Sequence, residues 1–273
     1  MQQEIWGFMI VLYLFLGGLG AGAFAFGLLA ERGLLGEVSE DFSKRAFFIT
    51  PYLIGVGILL LLFDLATLNP FKILNLLFHP YSMMSLGTWV LACFWLFSIF
   101  YSRLRGFGWA WILGLLLSVA TMGYTGLLLY AVRAFSLWHN AFLPLLFVLS
   151  ALSSGLALCL IYELKSKASL PTRLKNISLV LAFCELAVAG LWLFGASATD
   201  AGYASVVAIL SGEFWLMFWF GFVGLGVVVP LLASFGGFRL GRFSVSVLAC
   251  ECAVIAASLC LRAVAVYAAV SVY

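Results

Sequence analysis

The sequence predicts an all-α integral membrane protein of eight transmembrane helices arranged as two four-helix bundles. Three observations predict it. The 273 residues are 65% hydrophobic and only 9% charged, with a mean hydropathy of +1.18, where soluble domains carry about 25% charged residues. The apolar residues gather into runs long enough to cross a bilayer core, which takes about 20 residues of helix. The stretches between the runs are short, and Lys and Arg concentrate in alternate ones. Eight spans consume about 160 to 180 residues, so no soluble catalytic domain fits in the remainder. Chemistry on a soluble substrate would have to sit on another subunit.

The first span, near 5–30, follows residues without Lys or Arg and is longer than a signal h-region, so no removable signal is expected. Small residues, LGGLGAG at 16–22, mark its middle. After ERGLLGEVSEDFSKR comes the second span, 46–68, with Asp64 near its end. The next segment, FKILNLLFHPYS, is amphipathic and too short to span, so it is expected in the membrane interface. The third span, 83–102, opens with SLGTW, and YSRLRGFG leads to the fourth, 109–132. RAFSLWHN precedes the fifth, 140–163, which carries LSALSSG at 149–155. ELKSKASLPTRLKN leads to the sixth, 175–197. SATDAGYAS is read as a loop before the seventh, 213–235, which opens with SGEFW at 211–215. GGFRLGRFS leads to the eighth, 244–270.

LGGLGAG and LSALSSG place leucines and small residues at identical positions, and SLGTW is echoed by SGEFW. Four spans preserve orientation, so a parallel internal repeat would divide the chain into bundles at 1–135 and 136–273. Chance similarity between apolar helices is the rival explanation.

Orientation follows from the basic residues. The loops after the first, third, fifth and seventh spans hold 11 of the 14 Lys and Arg; the opposite side holds only Lys72 and Arg133, and Arg262 lies within the last span. Both termini are therefore expected outside the cytoplasm, in a multi-pass protein of the cytoplasmic (inner) membrane.

Some chemistry is disfavoured by absence. The six cysteines fall inside apolar runs, without a C-x-x-C pair or a ferredoxin-type cluster, and read as small core hydrophobes. A b-type haem between spans needs ligands within them, yet His79 and His139 lie at interfacial loop ends. No Walker loop, H-E-x-x-H or nucleotide fingerprint occurs. No metal site and no nucleic-acid partner are expected in this chain.

Intramembrane ionisable groups carry more information, because charge in the bilayer demands a partner, a cavity or a proton path. Glu185 lies mid-way along the sixth span; Glu251 and Arg262 lie 11 residues apart on the eighth, about three turns and so one face. An ion pair between helices and a proton or water path both remain open. In the first four spans, residues converge in depth. Tyr13 sits roughly 12 Å in from one end of its span at 1.5 Å per residue, and Asp64, Ser85, Trp89 and Tyr124 fall in the same outer half. Two phenols and a carboxylate at one depth suit hydrogen bonding to a quinone carbonyl and exchange of its protons. Each tyrosine satisfying its hydroxyl on a neighbouring helix is the competing view. The flat face of Gly17 and its neighbours suits either helix packing or a planar ring.

LFLGGLGAGAF in the first span, Asp64-Leu65 followed by Asn69-Pro70, FHPYSMMSLGTW, and YTGLLL…LWHNAFLPLLFVLSALSSG together cover most of residues 6–156. On these the chain resembles the membrane subunit of the polysulfide reductase family, the NrfD-like quinone-reactive subunits. The resemblance implies an eight-helix anchor without haem, beneath a ferredoxin-like iron–sulfur subunit that wires to a molybdopterin catalytic subunit. It implies a menaquinone or ubiquinone site in the first bundle, facing the iron–sulfur partner. Tyr13 stands at a position often held by histidine, Tyr124 corresponds to a tyrosine near the ring, and Asp64 and His79 lie in matching motifs.

The expectation is a respiratory oxidoreductase subunit in the membrane lipid. It would oxidise menaquinol, or reduce the quinone, near the outer face. Tyr13, Asp64 and Tyr124 would act as catalytic groups, with Gly17, His79, Ser85 and Trp89 completing the quinone site. Glu185, Glu251 and Arg262 would form a proton path. The alternative is a secondary transporter or proton-conducting protein working without a redox partner.

Overall fold

The computed structural model describes residues 7–36, 38–68, 83–166, 171–234 and 243–270. Among them every regular element is a helix: α1 Phe8–Glu31, α2 Glu40–Leu68, α3 Met83–Leu104, α4 Gly108–Tyr130, α5 Phe142–Ser166, α6 Thr172–Ala196, α7 Asp200–Leu210, a π-helix π1 Met217–Val228, α8 Val229–Ser234 and α9 Phe243–Tyr267. Seven of these, α1 to α6 and α9, are long and apolar enough to cross a membrane. The protein is a multi-pass helical membrane protein.

Two stretches depart from the sequence expectation. The expected seventh span is the short apolar helix Met217–Ala233, most of it π-helical. Its wide turns hold more residues each, so it covers less length than an α-helix of equal residue count. The expected loop SATDAGYAS contains the start of α7, nucleated by Thr199, whose Oγ1 accepts from the Gly202 N–H at 3.2 Å, with Asp200 in the first turn. In addition, α2 begins six residues earlier than the apolar run suggests. Both the backbone N–H and the hydroxyl of Ser39, just before its first turn, donate to the Glu163 carboxylate of α5, and the i,i+4 pairs Glu40–Lys44 and Asp41–Arg45 support that turn.

Helix α1 is the centre of the molecule and is buried along most of its length. Lipid supplies no hydrophobic drive between helices, so close packing of small residues takes its place. The closest crossing is α1 on α5. A Cβ on Gly22 would overlap the Ala151 carbonyl, one on Gly155 would overlap the Gly22 backbone, and one on Gly18 would lie 3.3 Å from the Ala151 Cβ. Gly22 and Gly155 are the matching last residues of LGGLGAG and LSALSSG, and Gly18 matches Ala151. The two copies of the motif therefore pack on each other, as a parallel repeat about a shared axis would arrange them.

The face of α1 toward α2 is bonded as well as packed. Thr50 Oγ1 donates to Gly20 O at 3.2 Å. Pro51 has no N–H to give its helix, and its carbonyl accepts from Trp95 Nε1 of α3 at 2.9 Å.

Candidate functional site

Tyr13 on α1 and Tyr124 on α4 are buried, at 2% and 8% exposure. Their phenol groups interact electrostatically with each other, and Asp64 acts on Tyr13. Among the described residues neither oxygen has a hydrogen-bond partner beyond the other phenol. A buried polar atom left unmatched costs about 1–3 kcal/mol, and here two of them stand together.

Glycines admit the rings. The Tyr124 ring lies directly on the backbone of α3, where a Cβ on Gly87 would overlap it. On α2, a Cβ on Gly57 would approach Tyr13 O at 3.6 Å and Gly17 N at 3.8 Å. Gly57 and Asp64 are seven residues apart, two turns, so one face of α2 brings both toward α1. The Asp64 carboxylate also approaches the start of α1, with its Oδ1 3.9 Å from the position a Cβ on the N-cap residue Gly7 would take. Free N–H groups and the helix dipole there favour a negative charge.

The other expected members are placed unevenly. Ser85 is fully buried in the first turn of α3. Gly17 is buried one turn along from Tyr13, and a Cβ there would only touch Leu91 Cδ1 at 3.8 Å, so no close approach depends on it. Trp89 is 50% exposed and lies on the outer surface, away from the buried phenols. His79 and the segment FKILNLLFHPYS lie outside the described residues. Gly57 and Gly87 were not singled out in the sequence; the only signal was their place in the motifs, at SLGTW and two turns ahead of Asp64.

At the same end of the molecule, RAFSLWHN is tied down rather than loose. Trp138 Nε1 donates to Ala265 O at 2.6 Å, Trp192 Nε1 to Leu137 O at 2.9 Å, and Asn140 Nδ2 to Trp192 O at 2.9 Å. His139 stacks on Tyr130 at 4.7 Å, and its Nδ1 lies 3.0 Å from Tyr130 O.

A second polar cluster sits where α1, α5, α6 and α9 meet. Arg262 is fully buried. Its Nη1 donates to Ser150 Oγ at 2.9 Å, Ser258 O at 3.1 Å and Ser258 Oγ. Glu185 of α6 faces Ser150, Ser153 and the Arg262 charge. The guanidinium lies between the rings of Phe15 and Phe147, at 5.9 and 5.3 Å, against Gly18, where a Cβ would sit 2.6 Å from Nη2. Among the described residues Arg262 forms no ion pair with Glu185 or Glu251; Ser150 stands between Arg262 and Glu185, while Nε and Nη2 of Arg262 and Oε2 of Glu251 have no partner. The simple interhelical ion pair is thus replaced by a serine-bridged cluster with spare donors.

Comparison with known proteins follows the same lines. The sequence matches the family described as "Polysulphide reductase, NrfD" over residues 1–272. It is 28% identical to Protein NrfD of Escherichia coli, with 85% of this chain and 84% of the relative covered. Against a polysulfide reductase chain of Wolinella succinogenes the identity is 27%, with 84% and 83% covered. A selenate reductase subunit of Mesobacillus selenatarsenatis is 31% identical over 134 residues, 44% of this chain and 30% of the relative. With a match that runs the length of the sequence and a helical membrane fold beneath it, this chain belongs to the polysulphide reductase NrfD family.

Proposed function

We propose that this chain is the quinone-reactive membrane subunit of a respiratory oxidoreductase. It takes electrons from menaquinol near the extracytoplasmic face and passes them to a ferredoxin-like iron–sulfur subunit, which serves a molybdopterin catalytic subunit. The observation that carries the reading is the pair of buried phenol hydroxyls of Tyr13 and Tyr124 beside Asp64, which have no partner beyond each other among the described residues. Membership of a family with a relative named as part of a polysulfide reductase, and similarity to a selenate reductase subunit, support the assembly.

The orphaned donors fit a quinone, a planar ring with an acceptor oxygen at each end. When bound, a quinol supplies two electrons and two protons on becoming the quinone. The rest falls to residues of this chain. The Tyr13 and Tyr124 hydroxyls hydrogen-bond the ligand oxygen and fix its position. Asp64 receives the two protons in turn, releasing the first to the extracytoplasmic side before it takes the second, and the start of α1 steadies the carboxylate while it is charged. Gly87 holds the Tyr124 ring against α3, and the packed apolar core around the phenols keeps water out. In this reading the helical run from π1 into α8 is the seventh of eight spans, residues 1–135 and 136–273 form the two bundles, and both termini lie outside the cytoplasm. The iron–sulfur partner docks over the tied-down RAFSLWHN and the FKILNLLFHPYS segment.

Purification from its native membrane in mild detergent tests the assembly. Iron, molybdenum or tungsten, and two larger subunits are expected with the protein. A polypeptide that purifies alone, without metal, contradicts the redox-anchor reading and favours a transporter.

The Arg262 cluster favours an additional role. Spare donors on Arg262, an unpartnered Glu251 oxygen and the Ser150 bridge to Glu185 suit a proton path through the second half. Glu185→Gln is expected to slow coupled turnover and to reduce charge movement in sealed vesicles. Unchanged turnover and unchanged charge movement would rule the path out.

A further inference from the structure

Two cavities share one pair of cations, at the opposite end of the molecule from the phenols. A polar cavity of about 380 Å³, where α1 closes and α2 opens, is bounded by Glu31, Ser39, Glu40 and Ser43. A groove of about 580 Å³ on the outer flank runs between α2 and α3 past Phe48, Tyr52, Trp95 and Ile99. Lys44 and Arg105 line both.

The groove has a constructed floor and wall. The Trp95 indole reaches α2, where it donates to Pro51 O at 2.9 Å, and Gly55 makes room for it: a Cβ there would sit 3.1 Å from Nε1. Phe48 and Tyr52 pair at 5.2 Å along one side, both exposed where the surrounding medium is lipid. An apolar channel that opens to the acyl region and ends at two cations has the polarity of a single amphiphile.

The polar end narrows the choice of head. Lys44 Nζ lies 2.9 Å from Glu40 Oε2, and Arg105 Nε lies 2.7 Å from Glu31 Oε1. Tyr101 OH donates to Glu31 Oε2 at 2.6 Å. Two cations and two carboxylates therefore share one cavity. A purely anionic head would meet the carboxylates, and a head bearing only positive charge would meet the cations. A head with a phosphate and a primary ammonium satisfies both, since the ammonium has three N–H donors and a guanidinium has five. The Lys44–Glu40 pair is exposed, and such pairs contribute only about 0–1 kcal/mol, so it rearranges around a ligand at little cost, while Glu31 stays anchored by Tyr101.

We propose that the two cavities form one binding site for a phospholipid of the phosphatidylethanolamine class. The phosphate rests on Lys44 and Arg105, the ammonium on Glu31 and Glu40, and an acyl chain lies along Phe48, Tyr52 and Ile99.

Native mass spectrometry of the full-length protein tests this, with phosphatidylethanolamine, phosphatidylcholine and phosphatidylglycerol of identical acyl chains titrated into detergent micelles. Phosphatidylethanolamine is expected to bind at least tenfold more tightly than the other two. Arg105→Gln and Ile99→Trp are expected to bring it down to their level, while Leu116→Trp, on an exposed face of α4, leaves it unchanged. Because Arg105→Gln also removes a partner of Glu31, Ile99→Trp decides: it fills the groove and keeps every charge. Equal binding of the three lipids, a preference for phosphatidylglycerol, or an unaffected Ile99→Trp overturns the proposal. A dimer that Ile99→Trp dissociates would assign the groove to a second copy of the protein and overturn it as well.

Discussion

Replacing Tyr124 or Tyr13 by Phe is expected to lower quinol oxidation by about 10²-fold, the lower end of what loss of one positioned hydrogen-bond donor costs. The same changes are expected to leave the protein as stable as before, or more stable by about 1 kcal/mol. Both expectations come from one observation: among the described residues the two hydroxyls are buried with no partner beyond each other. A hydroxyl that serves packing would have a partner, and removing it would strand that partner. Here removal relieves a desolvation cost instead. The ring stays, so the Tyr124 contact with α3 at Gly87 survives. Turnover with a soluble quinol analogue, measured in the native complex beside the thermal unfolding midpoint of each variant, checks both at once. Lost activity with lost stability would mark the tyrosines as structural. Unchanged activity would mean that quinol is handled elsewhere.

The second large effect concerns the crossing of α1 on α5. Gly22→Leu is expected to destabilise the protein by about 3 kcal/mol or more, beyond the usual cost of overpacking, because the obstacle is backbone. Side chains can turn away from an added methylene; the Ala151 carbonyl and the Gly155 Cα cannot. The helices must separate, and the Arg262 cluster, which lies along the same crossing against Gly18, loosens with them. Gly190→Ala is the control. Nothing lies within 4 Å of a Cβ at Gly190, and alanine is the better helix former by about 1 kcal/mol. Detergent-dependent unfolding of the two variants should therefore move in opposite directions. A Gly22→Leu protein as stable as wild type would mean that the crossing is not formed as described.

Much of this arrangement is legible in the sequence because span length and composition are one-dimensional properties. Long apolar runs gave α1 to α6 and α9 with small shifts at their ends. The small-residue motifs marked where helices approach closely, and the two motifs meet at Gly22 and Gly155. Which face of each helix points inward was much less legible. In a bilayer the outer face is as apolar as the core, so periodicity does not separate them. That is why Trp89, at the right depth, turns out to lie on the surface, while Gly87, two residues earlier, lies under Tyr124. The π-helix was hidden for a related reason: hydropathy reports what a run contains and not how many residues it winds into each turn. Likewise, the 11-residue spacing of Glu251 and Arg262 placed them on one face but could not show that Ser150 and Ser258 would take up the guanidinium.

In the proposed function Tyr13 and Tyr124 hold their hydroxyls ready for a quinone. The most direct measurement is quinone binding by the purified full-length protein, wild type against the Tyr13→Phe/Tyr124→Phe double variant, read by quenching of the intrinsic tryptophan fluorescence and by quinone extracted from the purified protein. Saturable binding and a stoichiometric quinone are expected in the wild type, with both lost in a double variant that unfolds no earlier. Equal binding by the two proteins, or none by either, would contradict it.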